Sequence, residues 1–471
     1  MKTKILILFI AFFSFSVIQA ELKVASILGD NMVLQRNTDV KIWGTANPNE
    51  KISLTASWNK STAKVTADSN GHWLVKVKTT DAGGPYTVEI TASKEKVTLK
   101  NILLGEVWLC SGQSNMELPI KGFGDQPIAG SNDILFEAEN NQIRLFKVKR
   151  NATASIQENF EGSWMQANAT SVADFSAVGY LYGKLLQQRL KVPIGIINSS
   201  WGGTPIEPWM SEETVKNFPV PYEKSIAKGN EPQKKAGYLY NGMIAPLLNY
   251  AIKGAIWYQG EANIRNYTYY ADMMAAMIKN WRTDFGVGQF PFYFAEIAPY
   301  RYKGSKDMWS ALLRDQQLKA SLAIPNTGMA STFDIGEEAC IHPSEKLTVA
   351  KRLAYWALSE TYGEKSLPHK SPTFKAMTVK DDTAIITFDN MVSGLTAYGK
   401  EVECFEVAGA DSIFYPATLR IYGSSAILKS SNVKTPIAVR YGFCNFPKTQ
   451  GYLYNTAGLP VPSFRTDNWS K

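Results

Sequence analysis

The stretch Gly105–Met116, GEVWLCSGQSNM, decides how the middle of the chain folds. Its apolar run from Val107 to Cys110 has the composition of a buried strand and ends abruptly in small and polar residues. Ser114 lies just past that end, where a sharp turn into a helix would expose its hydroxyl group. Met116 stands where the G-x-S-x-G elbow has its second glycine, so an ordinary strand-to-loop junction remains the alternative.

Downstream of this stretch, buried-strand patterns alternate with amphipathic helical patterns. The predicted strands are VPIGIINSS, KGAIWYQG, PFYFAEIAP and NTGMASTFD. The predicted helices are VGYLYGKLLQQRL, MIAPLLNYAI, TYYADMMAAMIKNWRTDF, SALLRDQQLKASL and SEKLTVAKRLAYWALSETYG. This alternation predicts an α/β domain over residues 101–365, with a parallel sheet covered by helices on both faces.

Two β-rich regions are predicted to flank that domain. Residues 21–100 contain short segments that alternate apolar and polar residues, separated by turn signals such as Asn47-Pro48-Asn49. They predict a small sandwich of immunoglobulin-like type. Residues 366–471 return to the same alternating texture, so a second β-rich region is expected there.

The first twenty residues, MKTKILILFIAFFSFSVIQA, have the pattern of a secretory signal peptide. Lys2 and Lys4 form the positive end, an apolar run follows, and Ala20 is a small residue at the cleavage position. No later segment approaches 18 consecutive apolar residues. We therefore expect a secreted or periplasmic protein that is not held in a membrane after the signal is removed.

The distribution of charge and the spacing of the cysteines argue against two kinds of partner, nucleic acids and structural zinc. The 471-residue chain has a formal net charge of +8, but its Lys and Arg residues are scattered, which does not indicate a nucleic-acid partner. Cys110, Cys340, Cys404 and Cys444 lack metal-ligand spacing, so no structural zinc site is predicted. Buried free thiols are the default expectation, with a bridge between Cys404 and Cys444 as the alternative.

Four predicted strand or loop ends carry the residue types of a hydrolytic site. Parallel strands place their functional groups at their carboxyl ends. The four ends carry Gly112 to Asn115, Trp201 to Thr204, Gln259 to Asn263, and Asp334 to Pro343. Of the three histidines in the chain, only His342 lies in a predicted strand-to-helix loop of the α/β region. His342 is therefore the candidate general base for Ser114.

The remaining residues of these ends suit the second requirement of ester hydrolysis. Attack on an ester carbonyl creates an oxyanion, which needs preorganised hydrogen-bond donors. The glycine pair Gly202-Gly203 allows backbone N–H groups to approach a substrate closely. The side-chain amide of Gln259 would add another donor. Taken alone, the glycine pair is more often a plain turn, and Gln259-Gly260 is more often a strand end with a glycine.

The order of the blocks GQSNM, SSWGGTPIEPW, IWYQGEAN and IHPSEK resembles that of the sialate O-acetylesterases, within the SGNH hydrolase superfamily. The resemblance continues through LLRDQQ, FEVAGADSIFYPATL, VRYGF and NTAGLPVPSFRTD, so it covers most of the chain from about residue 100. It implies an SGNH-type three-layer α/β/α domain. It also implies that Ser114 is the nucleophile, His342 the base, and Gly202 or Gly203 with Gln259 the oxyanion hole.

The resemblance implies an exported serine esterase that releases acetate from O-acetylated sialic acids through an acetyl-serine intermediate, without a cofactor or metal. Arg314, in the LLRDQQ helix, is a candidate for binding the sialate carboxylate, with a structural salt bridge as the alternative. The same chemistry on acetylated xylan or another polysaccharide is the nearest rival function. A non-catalytic carbohydrate-binding protein is the alternative from another class. The oligomeric state is not predicted.

Two departures from the superfamily pattern affect the expected site. Gln259 stands where the superfamily has an asparagine, and Ala339 stands where it has an aspartate three residues before the histidine. The carboxylates left to orient His342 are Asp334, Glu337 and Glu338. Asp334 is favoured because a strand end holds a side chain more firmly than a loop does. A dyad oriented by a backbone carbonyl is the alternative. A histidine base predicts activity that rises with pH between about pH 5 and 8.

Overall fold

The computed structural model describes residues 21–93, 95–218, 231–302 and 308–469. The secretory signal predicted for residues 1–20 lies outside these described residues. Within the described ranges, no helix combines the length and apolar character needed to cross a bilayer.

The amino-terminal region is a pair of β-sheets that share one apolar core. Its strands are β1 (Lys23–Val24), β2 (Val33–Gln35), β3 (Asp39–Thr45), β4 (Lys51–Ala56), β5 (Thr62–Thr66), β6 (His72–Lys78), β7 (Gly83–Ala92) and β8 (Glu95–Gly112). Strands β1, β3 and β6 form one sheet; in the other, β4 lies between β5 and β7, and β7 pairs with β8. Alternate residues such as Val40 and Ile42 face inward, against Ile52 and Leu54 of the other sheet.

Strand β8 joins this region to the α/β domain without a break. Its first half pairs antiparallel with β7, and its second half pairs in parallel with two strands of the central sheet. Strand β2 adds parallel pairing to Leu103–Gly105. The boundary expected at residue 101 therefore falls inside a continuous 18-residue strand.

The central sheet confirms the predicted α/β class. Its further strands are β9 (Asn140–Lys147), β10 (Trp164–Ala167), β11 (Ile194–Ser200), β12 (Gly254–Tyr258), β13 (Phe292–Ala295) and β14 (Thr327–Ala330). Their order is β10-β9-β11-β8-β12-β13-β14, and only the β9–β10 pair in this path is antiparallel. The sequence patterns missed β9 and β10, because β9 begins in the polar residues Asn140 to Gln142 and has only a short apolar run.

Helices cover both faces of this sheet. They are α1 (Ser114–Glu117), α2 (Ser131–Phe136), α3 (Ala169–Ala173), α4 (Ala177–Leu190), α5 (Glu212–Lys216), α6 (Tyr270–Phe285), α7 (Trp309–Ala323) and α8 (Lys346–Trp356). Trp108 and Cys110 of β8 face the core shared with α4 and α8, whereas Val107 and Leu109 face the core shared with α6 and α7. The helix predicted in MIAPLLNYAI is only two short turns, since Pro246 cannot donate a helical hydrogen bond.

The carboxy-terminal region is again β-rich. Its strands are β15 (Thr373–Lys380), β16 (Thr383–Asp389), β17 (Leu395–Thr396), β18 (Phe405–Ala408), β19 (Phe414–Pro416), β20 (Thr418–Tyr422), β21 (Ser425–Lys429), β22 (Ala438–Tyr441), β23 (Tyr454–Asn455) and β24 (Phe464–Arg465). They form two four-stranded sheets and one two-stranded sheet. None of the four cysteines is in a disulfide, so the alternative of a bridge between Cys404 and Cys444 is not realised.

Arg314 joins the α/β domain to this carboxy-terminal region, and its expected role in substrate binding is wrong. The side chain is fully buried on α7. Its guanidinium donates to Ser463 Oγ at 3.0 Å and to the Cys444 carbonyl oxygen at 2.6 Å. The Glu296 carboxylate lies 4.0 Å from its Nε. A buried guanidinium needs such partners, and they leave it no access to a substrate.

We predict that Arg314→Met lowers the free energy of unfolding by about 3–5 kcal/mol, because Ser463 Oγ and the Cys444 carbonyl oxygen lose their buried donor and Glu296, whose pKa burial raises to about 7, loses its nearest cation. Urea unfolding followed by fluorescence measures the loss, and KM for an O-acetylated acidic sugar should stay unchanged in the folded fraction. Lys319→Met removes an exposed ion pair on the same helix and is the matched control. A raised KM with unchanged stability would restore the substrate-binding role.

Candidate active site

Three neighbouring strands end at one level and position the loops of the site. Gly112, the last residue of β8, pairs with Ser200 of β11 and Tyr258 of β12. Its φ is +137°, and a Cβ atom there would lie 2.2 Å from the Tyr258 carbonyl oxygen. Only glycine fits this turn, which sends the chain directly into the short helix α1. Ser114 begins that helix and is half-buried, whereas its sequence neighbours are buried.

Ser114 meets His342 at this edge of the sheet, as the sequence led us to expect. Ser114 Oγ lies 2.7 Å from His342 Nε2, although 228 residues separate the two in the chain. Burial, and secondly the charge of Lys346, lower the pKa of His342 to about 4. The imidazole is therefore neutral at neutral pH and can accept the serine proton.

The other nitrogen of His342 contacts Gln126, a residue that sequence reasoning missed. Gln126 Oε1 lies in hydrogen-bond contact with His342 Nδ1. Two backbone hydrogen bonds between Phe123 and Gln126 form a tight turn that holds this side chain. The Phe123 ring also stands edge-on to the imidazole, with centroids 6.3 Å apart. Since an amide oxygen only accepts, Nδ1 carries the proton and the lone pair of Nε2 faces Ser114.

The carboxylates expected behind His342 are engaged elsewhere, so the assignment of Asp334 as orienting acid is wrong. Arg352 donates to both Asp334 oxygens, at 2.6 and 2.7 Å. Glu337 accepts from the backbone N–H and the hydroxyl of Ser344, and Glu338 pairs with an arginine at the surface. The strand end does fix Asp334, but it fixes the carboxylate against a buried arginine of α8. No sequence signal marks Gln126, which lies in a loop without a motif.

The glycine pair lies next to Ser114. A Cβ atom on Gly202 would lie 3.1 Å from Ser114 Cβ, so any side chain there would crowd the serine. The Gly202 N–H donates to Glu117 Oε2 at 2.7 Å. Gly203 stands at the exposed tip of the same turn, with φ of +72°. Of the two glycines, Gly202 therefore has its amide already bound to the protein.

Gln259 does not serve as the expected oxyanion donor. Its fully buried amide donates both hydrogens within the protein, to the Thr204 carbonyl oxygen at 3.1 Å and to Asn263 Oδ1 at 2.7 Å. Its Oε1 accepts from the Tyr270 hydroxyl at 2.7 Å. The amide therefore braces the loops after β11 and β12, because both of its N–H groups are used between them.

A cleft of about 810 Å³ is lined by Glu117, which accepts from the Gly202 N–H, and by Phe123, whose ring stands edge-on to His342. Glu117 forms one wall and accepts from Arg150 Nε at 2.7 Å, while the Arg150 guanidinium lies over the Trp201 ring. Four cations and three carboxylates line the cleft, which leaves it with net positive charge. The charged lining residues are Glu117, Lys121, Lys147, Lys149, Arg150, Glu161 and Asp174. Three of the four cations pair with the three carboxylates, so the net charge of the lining is +1.

Comparison with known proteins shows the family of the chain. The family model described as a carbohydrate esterase, sialic acid-specific acetylesterase, matches residues 104–358. The chain is 30% identical to human sialate O-acetylesterase over 483 residues, covering 93% of this chain and 91% of the human one. It is 29% identical to the mouse sialate O-acetylesterase, covering 93% of each chain.

A solved structure extends the likeness to the fold. The crystal structure of a carbohydrate acetylesterase from Xanthomonas citri superposes with a TM-score of 0.87 at 36% sequence identity. The match covers 95% of this chain and all of that chain, including both β-rich regions. The protein is therefore an esterase acting on carbohydrate acetyl groups, and it belongs to the sialic acid-specific acetylesterase family of carbohydrate esterases.

Proposed function

We propose that this esterase removes O-acetyl groups from sialic acids, with Ser114 as nucleophile and His342 as general base and acid. The observation that carries the proposal is the 2.7 Å distance between Ser114 Oγ and His342 Nε2. A serine hydroxyl is a weak nucleophile until a base within this distance takes its proton. The family description and the sialate O-acetylesterase relatives support the choice of sugar.

In the first half-reaction, Ser114 Oγ attacks the acetyl carbonyl carbon while its proton passes to His342 Nε2. The tetrahedral intermediate collapses when His342 returns this proton to the sugar oxygen, which breaks the ester bond and leaves acetyl-Ser114. In the second half-reaction, His342 takes a proton from water, and the hydroxide attacks the acetyl group. Return of the proton to Ser114 Oγ releases acetate and restores the enzyme.

Backbone amides are the donors that we assign to the oxyanion. The N–H of Ser114 is at the first position of α1, where a helix supplies no acceptor of its own. The N–H of Gly203 is at the tip of the neighbouring turn, whereas that of Gly202 is bound to Glu117. One donor of this kind typically stabilises the transition state by about 2.7–4 kcal/mol.

The charge of the cleft supports an acidic sugar. Arg150 is held by Glu117 and by the Trp201 ring, with half of its side chain still exposed. The Lys147 ammonium donates to a backbone carbonyl of Asp174, which leaves its charge available at the rim. A sialic acid carries one carboxylate that such a surface attracts, whereas xylan is neutral. We also propose export, on the signal pattern of residues 1–20.

We predict that the enzyme releases acetate from 9-O-acetylated sialic acid with a higher kcat/KM than from acetylated xylan. Ser114→Ala should lower kcat on both substrates by about 10⁴- to 10⁶-fold, because no other group can form the acetyl-enzyme. Enzymatic determination of acetate measures both rates. Faster turnover of xylan would overturn the choice of sugar alone, whereas full activity of Ser114→Ala would overturn the mechanism.

We predict that kcat/KM is half-maximal near pH 4, the pKa to which burial and Lys346 lower His342. The base must be unprotonated to accept the serine proton, so activity is lost as the pH falls through this value. This places the acidic limb below the range of about pH 5 to 8 that an ordinary histidine would give. Initial rates on an aryl acetate in a constant-ionic-strength buffer series test it, and half-loss near pH 6.5 would contradict it.

We predict that Gln126→Ala lowers kcat by about 100-fold or less with little change in KM, because the imidazole loses the acceptor that selects its tautomer. Gln126→Glu is the variant to compare with Gln126→Ala, since a carboxylate next to Nδ1 stabilises the imidazolium. It should move the acidic limb of the pH profile to higher pH. An unchanged profile in the glutamate variant would show that position 126 does not contact His342 during turnover.

A further inference from the structure

Behind Ser114 and His342 lies a cluster of three buried polar side chains that the proposed reaction does not use. We call Asn115, Glu261 and Lys346 the clamp. Asn115 follows Ser114 in α1, Glu261 begins the 3₁₀ helix after β12, and Lys346 begins α8. Lys346 is fully buried, with a side chain that reaches no solvent. Burying an ammonium group costs free energy of solvation, so a lysine that only filled space here would destabilise the protein.

The clamp joins the two segments that carry Ser114 and His342. Lys346 Nζ donates to Asn115 Oδ1 at 2.7 Å and to the Pro343 carbonyl oxygen at 2.7 Å. Asn115 Nδ2 donates to the Ile341 carbonyl oxygen at 3.1 Å and to Glu261 Oε1. The residue after the serine is therefore tied to the residues on both sides of the histidine.

We propose that Lys346 is a positioning residue that, through Asn115, holds the Ser114 helix and the His342 loop at reacting distance. The proposal rests on the roles given above to Ser114 and His342. The strands fix Ser114 directly, but His342 follows β14 by twelve residues without a ladder of its own. The clamp supplies the missing fixed contacts, and Glu261 supplies the opposite charge that keeps the ammonium in place.

Lys346 acts on His342 in two ways: through the hydrogen bonds described above and through its positive charge. The charged and titratable groups around Lys346 are Glu261 after β12, Glu337 and Cys340 from the preceding loop, and Tyr258 of β12, whose ring centroid lies 5.7 Å from Nζ. Burial lowers the pKa of Lys346 to about 7, and Glu261 opposes that shift. In its charged form Lys346 disfavours a second positive charge on the imidazole, which lowers the pKa of His342.

The test compares the wild type with Lys346→Met, which keeps the length of the side chain but removes its charge and hydrogen bonds. We expect kcat for an aryl acetate to fall by about 100-fold with KM unchanged, because the reacting groups lose their alignment. NMR titration of His342 should move to higher pH. The chain has only three histidines, so His342 is assigned by comparison with a His342→Gln sample.

Arg282→Met is the matched control, because Arg282 is another buried cation that binds backbone carbonyl groups away from Ser114 and His342. It should lower stability but leave the titration of His342 in place, which separates positioning from general loss of packing. If Lys346→Met fails to fold, Lys346→Gln replaces it, since it keeps an N–H donor and still lacks the charge.

An unchanged kcat, or an unchanged titration of His342, in the folded Lys346 variant would overturn the proposal. The titration needs no turnover, so it reports on the clamp even if the enzyme prefers another sugar. Failure of the proposed function would show itself separately, as full activity of Ser114→Ala.

Discussion

The parallel register of β8 with β11 and β12 is the constraint on which the site depends. Gly112 lies level with Ser200 and Tyr258, so the loops after all three strands leave the sheet at one edge. Backbone hydrogen bonds fix this level, and side chains only fill the space that it leaves. The crowded glycine turn then brings Ser114 to the rim. His342 has no such ladder, and the site must hold it by side chains instead.

Because side chains have to hold His342 in place, several polar side chains are buried behind the site. Lys346, Asn115 and Gln126 all act on the histidine or its loop, and each uses hydrogen bonds with buried or half-buried partners. Burying an ammonium and a carboxylate costs several kcal/mol for each ion, which the contacts offset only when every donor is satisfied. In return, these hydrogen bonds give the His342 loop one defined position. A methionine at position 346 would fill the same space without specifying where that loop lies.

The sequence predicts those parts of the site that local pattern and residue scarcity determine. Ser114 follows a clear strand, and His342 is the only histidine in a suitable loop, so both were found. Gln259 was misjudged because a strand-end position does not reveal which way a side chain faces, and here it faces the interior. The strand end does hold Asp334 firmly, but Arg352 from α8 takes its charge, which the sequence position does not reveal. Gln126 depends on a contact across 216 residues, which no local pattern encodes.

In the proposed reaction, a neutral amide behind the histidine affects both steps of the first half-reaction, the attack and the collapse. A carboxylate at Nδ1 would stabilise the imidazolium and make Nε2 a stronger base for the attack by Ser114. Gln126 leaves the imidazolium less stabilised, and burial and Lys346 lower the pKa of His342 further. The same imidazolium is then a stronger acid when it protonates the departing sugar oxygen, which is a poor leaving group without a proton. In the proposed reaction, a histidine that is a weaker base for the attack is therefore a stronger acid for the collapse, which is the step that frees the sugar.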